Sequence, residues 1–116
     1  MSGAMFVEIG RTGPALVGRV VSSKVTEREA PIIEAELSGS AEDSEWRVVV
    51  DLTEVGMLAS AGLGMLVTLH RKCRENNGRL AVCGVSEDIM GALKLSRLDR
   101  MLVIKKDLDA AVKAVG

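Results

Sequence analysis

The sequence predicts a single α/β domain over residues 1–116, with a mixed sheet of central parallel strands and helices packed mainly on one face. The 116 residues give room for one domain with a substantial hydrophobic core. Residues 46–52 and 79–85 are apolar and rich in β-branched side chains, which is typical of strands buried on both faces. A segment with helical periodicity lies between them, so the three predict a right-handed βαβ unit with parallel strands.

The first third of the chain predicts a hairpin followed by a helix. Residues 6–9 and 16–21 are short apolar runs separated by Thr12-Gly13-Pro14, a turn composition, and the first run predicts an edge strand. Thr26 and Glu29 have the spacing of a capping box, which predicts a helix over about 27–38. Pro31 could instead mark the first helical turn. Residues 38–45 predict a polar loop.

The second half predicts three helices and two strands. The helix over 61–76 ends at Gly78 as its C-terminal cap, and Gly62, Leu66, Leu69 and Cys73 share its core face. Ser86 caps a third helix whose apolar positions are Ile89, Leu93 and Leu95, and residues 101–104 lead into a short last strand. Asp107 caps a final helix with apolar residues at helical spacing, namely Leu108, Ala111, Val112 and Val115. The predicted order is β-β-α-β-α-β-α-β-α.

Composition argues against several classes of partner. Aromatic residues make up 2% of the chain, so stacking surfaces for nucleic-acid bases are nearly absent. The net charge of -1 provides no field for DNA or for anionic lipid. Residues 1–58 carry five basic and ten acidic groups while residues 59–116 carry ten and six. This asymmetry could steer a partner, or it could average out over the surface of one compact domain.

The cysteines and the histidine predict neither a metal site nor a nucleophile. Cys73 and Cys83 form no CxxC pair, and they resemble small buried apolar residues of a reducing compartment. His70 lies three residues before Cys73, but no carboxylate stands at a spacing that would orient it. Met1-Ser2-Gly3-Ala4-Met5 lacks a secretory pattern and no run approaches a membrane span, so we expect a cytoplasmic protein.

The junction between residues 51 and 64 is the most informative part of the sequence. A buried strand ends at Asp51, a loop with the exposed-looking apolar residues Met57 and Leu58 follows, and a helix opens with Ser60 and two glycines. A helix start favours anions, and Ser60 lies away from the core face of the helix, so a phosphate on its hydroxyl would be tolerated there. Ser60 could also serve only as the N-cap.

This junction resembles the STAS family, the anti-sigma factor antagonists of bacterial partner-switching systems. The family pattern is a strand ending in Asp-Leu, a short loop, Asp-Ser-Ser-Gly-Leu-Gly at a helix start, and a Gly-Gly-like turn before the next strand. This chain has Asp51-Leu52, Ala59-Ser60-Ala61-Gly62-Leu63-Gly64 and Asn77-Gly78-Arg79-Leu80 at the matching places. The resemblance covers residues 46–113 well and the first 45 weakly.

The resemblance implies a signalling protein rather than an enzyme, with Ser60 as the residue phosphorylated by an anti-sigma factor that is also a serine kinase. Ala59 and Ala61 stand where the family has Asp and a second Ser. The implied partner-binding residues are Met57, Leu58, Ala59, Ala61, Gly62 and Leu63. Phosphorylation would place charge in an apolar contact and switch binding off.

Two alternatives stay open at this point. The first is a STAS module that binds constitutively within a larger regulatory or transport assembly, with Ser60 only a cap. The second is an enzyme, which would need several convergent ionisable groups that the sequence does not offer. We expect no cofactor, no metal, no nucleic-acid partner and no membrane insertion, and a weak homodimer is compatible with this interpretation.

Overall fold

The computed structural model describes residues 6–116, so the expectation drawn from Met1-Ser2-Gly3-Ala4-Met5 lies outside the described residues. The strands are β1 (Val7–Thr12), β2 (Ala15–Val20), β3 (Lys24–Val25), β4 (Arg47–Asp51), β5 (Met57–Leu58), β6 (Arg79–Cys83) and β7 (Val103–Lys105). The helices are α1 (Ala30–Ser40), α2 (Ser60–Glu75), α3 (Glu87–Leu95) and α4 (Leu108–Val115). Short 3-10 turns occupy Ala41–Ser44 and Leu98–Arg100.

Five strands form the main sheet in the order β1-β2-β4-β6-β7. β1 and β2 pair antiparallel as the predicted hairpin, with β1 at the edge, while the β2–β4, β4–β6 and β6–β7 pairs are parallel. β4 and β6 lie at the centre, flanked by parallel neighbours. The predicted mixed sheet with central parallel strands is confirmed.

The helices cover the two faces of the sheet unequally. α1, α2 and α3 contribute Ile33, Leu66 and Ile89 to the larger core cluster, and α4 contributes Ala111 to a smaller cluster on the opposite side. Successive side chains of a strand point to opposite faces, and β4 accordingly sends Val48 and Val50 into the larger cluster and Val49 into the smaller one. The prediction of helices mainly on one face is confirmed.

The first helix begins later than the capping box predicts. α1 starts at Ala30 with Pro31 in its first turn, so the alternative based on Pro31 is correct. Glu29 accepts a hydrogen bond from the Thr26 amide at 2.8 Å, which is half of a capping box. The Thr26 hydroxyl donates to that same carboxylate and accepts from the Arg28 amide at 3.2 Å. The Thr26 carbonyl accepts from the Ala30 amide at 2.9 Å, so the Thr26–Glu29 contacts close the turn that leads into α1. The predicted loop over 38–45 contains the last residues of α1 and a 3-10 turn.

The end of α2 uses Asn77, and not Gly78, as its left-handed residue. Asn77 has φ +63°, and the Gly78 amide donates to the Cys73 carbonyl oxygen at 2.7 Å, which closes the helix. Gly78 is required for a different reason, because a Cβ there would strike the carbonyl group of Trp46. The predicted cap is therefore shifted by one residue.

Local capping elsewhere follows the predictions. The Ser86 hydroxyl accepts from the Ile89 amide at 3.2 Å, and the Asp107 carboxylate accepts from the Ala110 amide at 2.9 Å. The prediction that Leu95 contributes an apolar contact of α3 is wrong. It is the last residue of the helix and 90% exposed, since the chain turns away there and leaves its side chain in solvent.

Candidate functional site

A two-stranded parallel pair holds the loop that precedes α2. β3 pairs with β5 so that Lys24 lies opposite Met57 and Val25 opposite Leu58. The Ala59 amide donates to the Val25 carbonyl oxygen at 3.0 Å, which extends the pairing to the residue before α2. The start of α2 is therefore fixed to the segment between β2 and α1. Neither short strand was predicted from the sequence, because two residues give no detectable alternation.

The loop is anchored at its other end by the buried carboxylate of Asp51. This residue is 9% exposed, and its carboxylate accepts from the Thr53 amide at 2.9 Å and from the Thr53 hydroxyl. Gly84 has φ +70°, and a Cβ there would lie 2.8 Å from the Thr53 nitrogen and 2.9 Å from Asp51 Oδ1. In the sequence, this anchor could have been predicted from the Asp51-x-Thr53 spacing, which is typical of a turn closed by an Asp side chain. Loop and sheet are thus joined tightly where β4 ends.

Ser60 is the first residue of α2 and is exposed. The N-cap is Ala59, with extended backbone angles of φ -76° and ψ 177°, and no side chain caps this helix start. The alternative in which Ser60 acts as the N-cap is therefore wrong, because the chain turns into the helix one residue earlier. The first hydrogen bond across the helix start runs from the Leu63 amide to the Ala59 carbonyl, which leaves the preceding amides of α2 without an intrahelical acceptor. An exposed hydroxyl thus stands where backbone dipoles favour an anion.

The predicted partner-binding residues divide into surface and core. Met57 is 47% exposed, while Ala59, Ala61 and Leu63 are half-buried. Leu58 is 8% exposed, which corrects the expectation that both apolar residues of the loop reach solvent. The reason is the alternation of β5, which turns one side chain out and the next into the core.

Gly62 is also buried, so its part in the site is structural. A Cβ there would lie 2.6 Å from Leu58 Cδ1 and 3.0 Å from the Val25 carbonyl oxygen. The absence of a side chain lets α2 approach β3 and β5 closely, which is the packing explanation that the sequence left open.

A shallow groove of about 330 Å³ between α1 and α2 begins at Ala61, beside Ser60. Its floor and walls are mostly apolar or small side chains, and two glutamates stand among them. The lining residues are Glu27, Ala30, Pro31, Glu34, Ala61, Gly64, Met65 and Thr68. The groove continues the half-exposed apolar surface of the loop along the helix.

An ion pair joins α1 and α2 at this groove. Lys72 of α2 donates to the Glu34 carboxylate of α1 at 2.7 Å, and the Ser38 hydroxyl donates to the same carboxylate at 2.9 Å. These contacts, the lysine first, lower the pKa of Glu34. The pKa of Glu29, beneath the start of α1, is lowered chiefly by its hydrogen bonds from Thr26. Both carboxylates are therefore ionised at neutral pH.

The remaining reactive residue types do not gather around Ser60. Cys73 and Cys83 are buried, and burial raises the pKa of each thiol to about 12, so neither is a nucleophile at neutral pH. Burial first, and Arg74 second, lower the pKa of His70. Within residues 6–116 no three His, Cys, Asp or Glu side chains form a metal-binding group. None of the helices described is long and apolar enough to cross a membrane.

Comparison with known proteins assigns this arrangement to a family. The model of the STAS domain matches residues 13–111. The chain belongs to the STAS domain family. The resemblance drawn from the Asp51-Leu52 and Ala59-Ser60-Ala61-Gly62-Leu63-Gly64 motifs is thereby confirmed, and the match extends through the first helix and into the second strand of the hairpin.

Three known proteins resemble this chain over most of their own length. BtrV of Bordetella bronchiseptica, named as a candidate anti-sigma factor antagonist, is 27% identical over 90 residues, 78% of each chain. The crystal structure of an anti-sigma factor antagonist from Mycobacterium paratuberculosis is 25% identical, with a TM-score of 0.82 over 94% of this chain and 92% of that one. The phosphorylated form of SpoIIAA from Bacillus, at 14% identity, has a TM-score of 0.70 over 93% and 98%.

Proposed function

We propose that this chain is an anti-sigma factor antagonist that binds an anti-sigma factor with serine-kinase activity and is switched off by phosphorylation of Ser60. The observation that carries the proposal is the exposed Ser60 hydroxyl at the start of α2, next to the exposed side chain of Met57 and to the α1–α2 groove. The names of BtrV and of the mycobacterial relative support the antagonist role. A solved phosphorylated form of SpoIIAA supports a phosphate-dependent switch.

The proposed docking surface is the exposed part of the predicted set, and it differs from that set at two positions. Met57, Ala59, Ala61 and Leu63 offer apolar atoms to a partner, whereas Leu58 and Gly62 support them from the core. The groove past Gly64 extends this surface along α2. A partner segment lying over it would enclose the Ser60 hydroxyl in a mostly apolar contact.

Phosphorylation of Ser60 changes this contact by charge. A phosphate adds about -1.5 to -2 charges, and the free amides at the start of α2 stabilise it in the unbound protein. Burying that ion under a partner without a matching cation costs several kcal/mol. The modified protein therefore folds normally and loses its partner. An alanine at position 59 leaves the amides of the first turn uncapped and free to receive the phosphate.

Binding assays on Ser60 variants test the switch. Calorimetry against the anti-sigma factor kinase of the same organism should give similar Kd values for wild type and Ser60→Ala, and a Kd at least tenfold weaker for Ser60→Asp, about 1.4 kcal/mol. Ser96→Asp places the same charge on an exposed serine at the end of α3 and should bind like wild type. Equal affinity for Ser60→Asp and Ser60→Ala would contradict the switch.

Phosphate analysis separates this proposal from constitutive binding. Mass spectrometry of the protein isolated from its native cell should find a phosphopeptide that contains Ser60 and that is absent from the Ser60→Ala strain. Normal partner binding together with no phosphate on Ser60 under any growth condition would identify a constitutive STAS module instead.

A further inference from the structure

A second surface with its own chemistry lies at the opposite end of α2 from Ser60. One cavity of about 410 Å³ is lined by Val67, His70, Arg71, Arg74, Glu75 and Met101. A neighbouring cavity of about 420 Å³ shares His70 and Arg74 and reaches Arg79 and Val103. We call Arg71, Arg74, Arg79, Met101 and Val103 the arginine surface.

The three arginines of this surface are available to a ligand. All are exposed, and none forms a salt bridge or a side-chain hydrogen bond within residues 6–116. The Arg19, Arg47 and Lys72 side chains, in contrast, are paired with glutamates. Glu75 is the one carboxylate among the lining residues of the two cavities. A protein of net charge -1 thus carries a concentrated positive patch.

Apolar side chains lie within the same surface. Met101 is 45% exposed and Val103 is 39% exposed, although both are large hydrophobic residues. Val103 belongs to β7, which ends the five-stranded sheet and pairs only with β6 among the described strands. Met101 lines one cavity with Arg71 and Arg74, and Val103 lines the other with Arg74 and Arg79. Exposed apolar side chains and arginines thus share one surface, and Arg and Met are both enriched in protein interfaces.

Distance separates this surface from the Ser60 site. Arg74 lies fourteen positions after Ser60 on one helix, a separation of about 21 Å along the axis at 1.5 Å per residue. A ligand confined to the start of α2 therefore leaves Arg74 uncovered, although the α1–α2 groove reaches Thr68, next to Val67, which lines one cavity of the arginine surface.

We propose that the arginine surface binds an acidic segment of a partner protein that packs one apolar side chain on Met101 and Val103. Charge complementarity selects the acidic segment, because guanidinium groups pair with carboxylates in a bidentate geometry. A nucleic acid is disfavoured, because Phe6 and Trp46 are the only aromatic residues and neither lines these cavities.

A second copy of this chain is a poorer occupant than a different protein. Ten of its sixteen acidic residues lie in the first half of the sequence, but only Glu34 and Glu36 are on α1 and only Glu42 and Asp43 are in the turn after it, and the other six are spread over other segments. A single contact between such residues and the arginine surface joins unlike surfaces, which gives a ring or an open chain unless two contacts form together about a two-fold axis.

Peptide selection tests the chemistry directly. A phage-displayed library of random peptides would be selected on immobilised wild-type protein after depletion on the Arg74→Glu, Arg79→Glu double variant. We expect the selected peptides to be enriched in Asp and Glu around at least one large apolar residue. Selected peptides without an acidic excess would overturn the proposal.

Titration of one selected peptide then locates the site. Its affinity should fall at least tenfold in the double variant and in the milder Arg74→Gln, Arg79→Gln variant, with circular dichroism confirming that both are folded. Lys113→Glu, which reverses an exposed cation on α4, should bind as wild type does. Met101→Ser should weaken binding without altering its salt dependence. Equal binding by all variants, or concentration-dependent self-association of the wild type that competes with the peptide, would refute the assignment.

Discussion

Two glycines on α2 allow a stringent test of how the start of this helix packs against β3 and β5. Gly62 faces β3 and β5, and a Cβ there would lie 2.6 Å from Leu58 Cδ1, 2.9 Å from Leu58 Cγ and 3.0 Å from the Val25 carbonyl oxygen. Comfortable contact between carbon atoms is about 3.5–4.0 Å, so Gly62→Ala forces Leu58 or the helix to move. Overpacking of this kind costs about 1–3 kcal/mol. Gly64 lies on the exposed side of the helix, and a Cβ there would meet no atom within 4 Å.

The matched substitution Gly64→Ala separates packing from helix propensity. Alanine stabilises a helix by about 0.5–1 kcal/mol relative to glycine, and that gain applies to both sites. Gly64→Ala should therefore be more stable than wild type, and the difference between the two variants should be about 1–3 kcal/mol, the packing cost alone. For a domain of this size the variants should differ by about 4 °C in Tm per kcal/mol.

Urea and thermal unfolding followed by circular dichroism measure this difference. If Gly62→Ala is as stable as Gly64→Ala, the close approach of α2 to the loop is not what holds Ser60 in place, and the explanation given for Gly62 is wrong.

The remaining predictions concern buried groups and the helix start. Replacing either buried cysteine by alanine, Cys73→Ala or Cys83→Ala, should lower the free energy of unfolding by about 1 kcal/mol or more and leave partner affinity unchanged. The thiols of the folded wild type should resist alkylation until the protein unfolds. Rapid alkylation of the folded protein would contradict the burial of these thiols. Because the pKa of Glu29 is lowered in the folded state, its ionised form contributes stability above the ordinary pKa of 4.5, and this is lost as the pH falls through the lowered value. Denaturation at a series of pH values should therefore show a smaller acid-induced loss for Glu29→Gln than for wild type, and Glu27→Gln, at an exposed neighbour, should follow wild type. Ala59→Asp should raise stability by about 0.5–2 kcal/mol through capping of α2, and thermal melts showing no gain would mean that this helix start is already satisfied.

Local sequence signals were reliable where the structure they predict is itself local. Ser86 and Asp107 cap the helices that they were expected to cap, because each hydrogen bond spans only three residues. The β-branched run at Val48-Val49-Val50 predicted a strand buried on both faces, and all three side chains are at most 1% exposed. The fold class and the position of Ser60 on the surface at a helix start therefore followed from the sequence.

The tertiary structure decided which residues of the candidate site reach the surface. Leu58 is buried because β5 pairs with β3, whose residues lie 33 positions earlier in the chain, and such a pairing leaves no periodic pattern in two residues. The need for glycine at position 78 likewise depends on the Trp46 carbonyl, far away in sequence. Long-range contacts of this kind are set by how the sheet and helices assemble, and so the arginine surface at the far end of α2 was visible in the sequence only as an excess of basic residues.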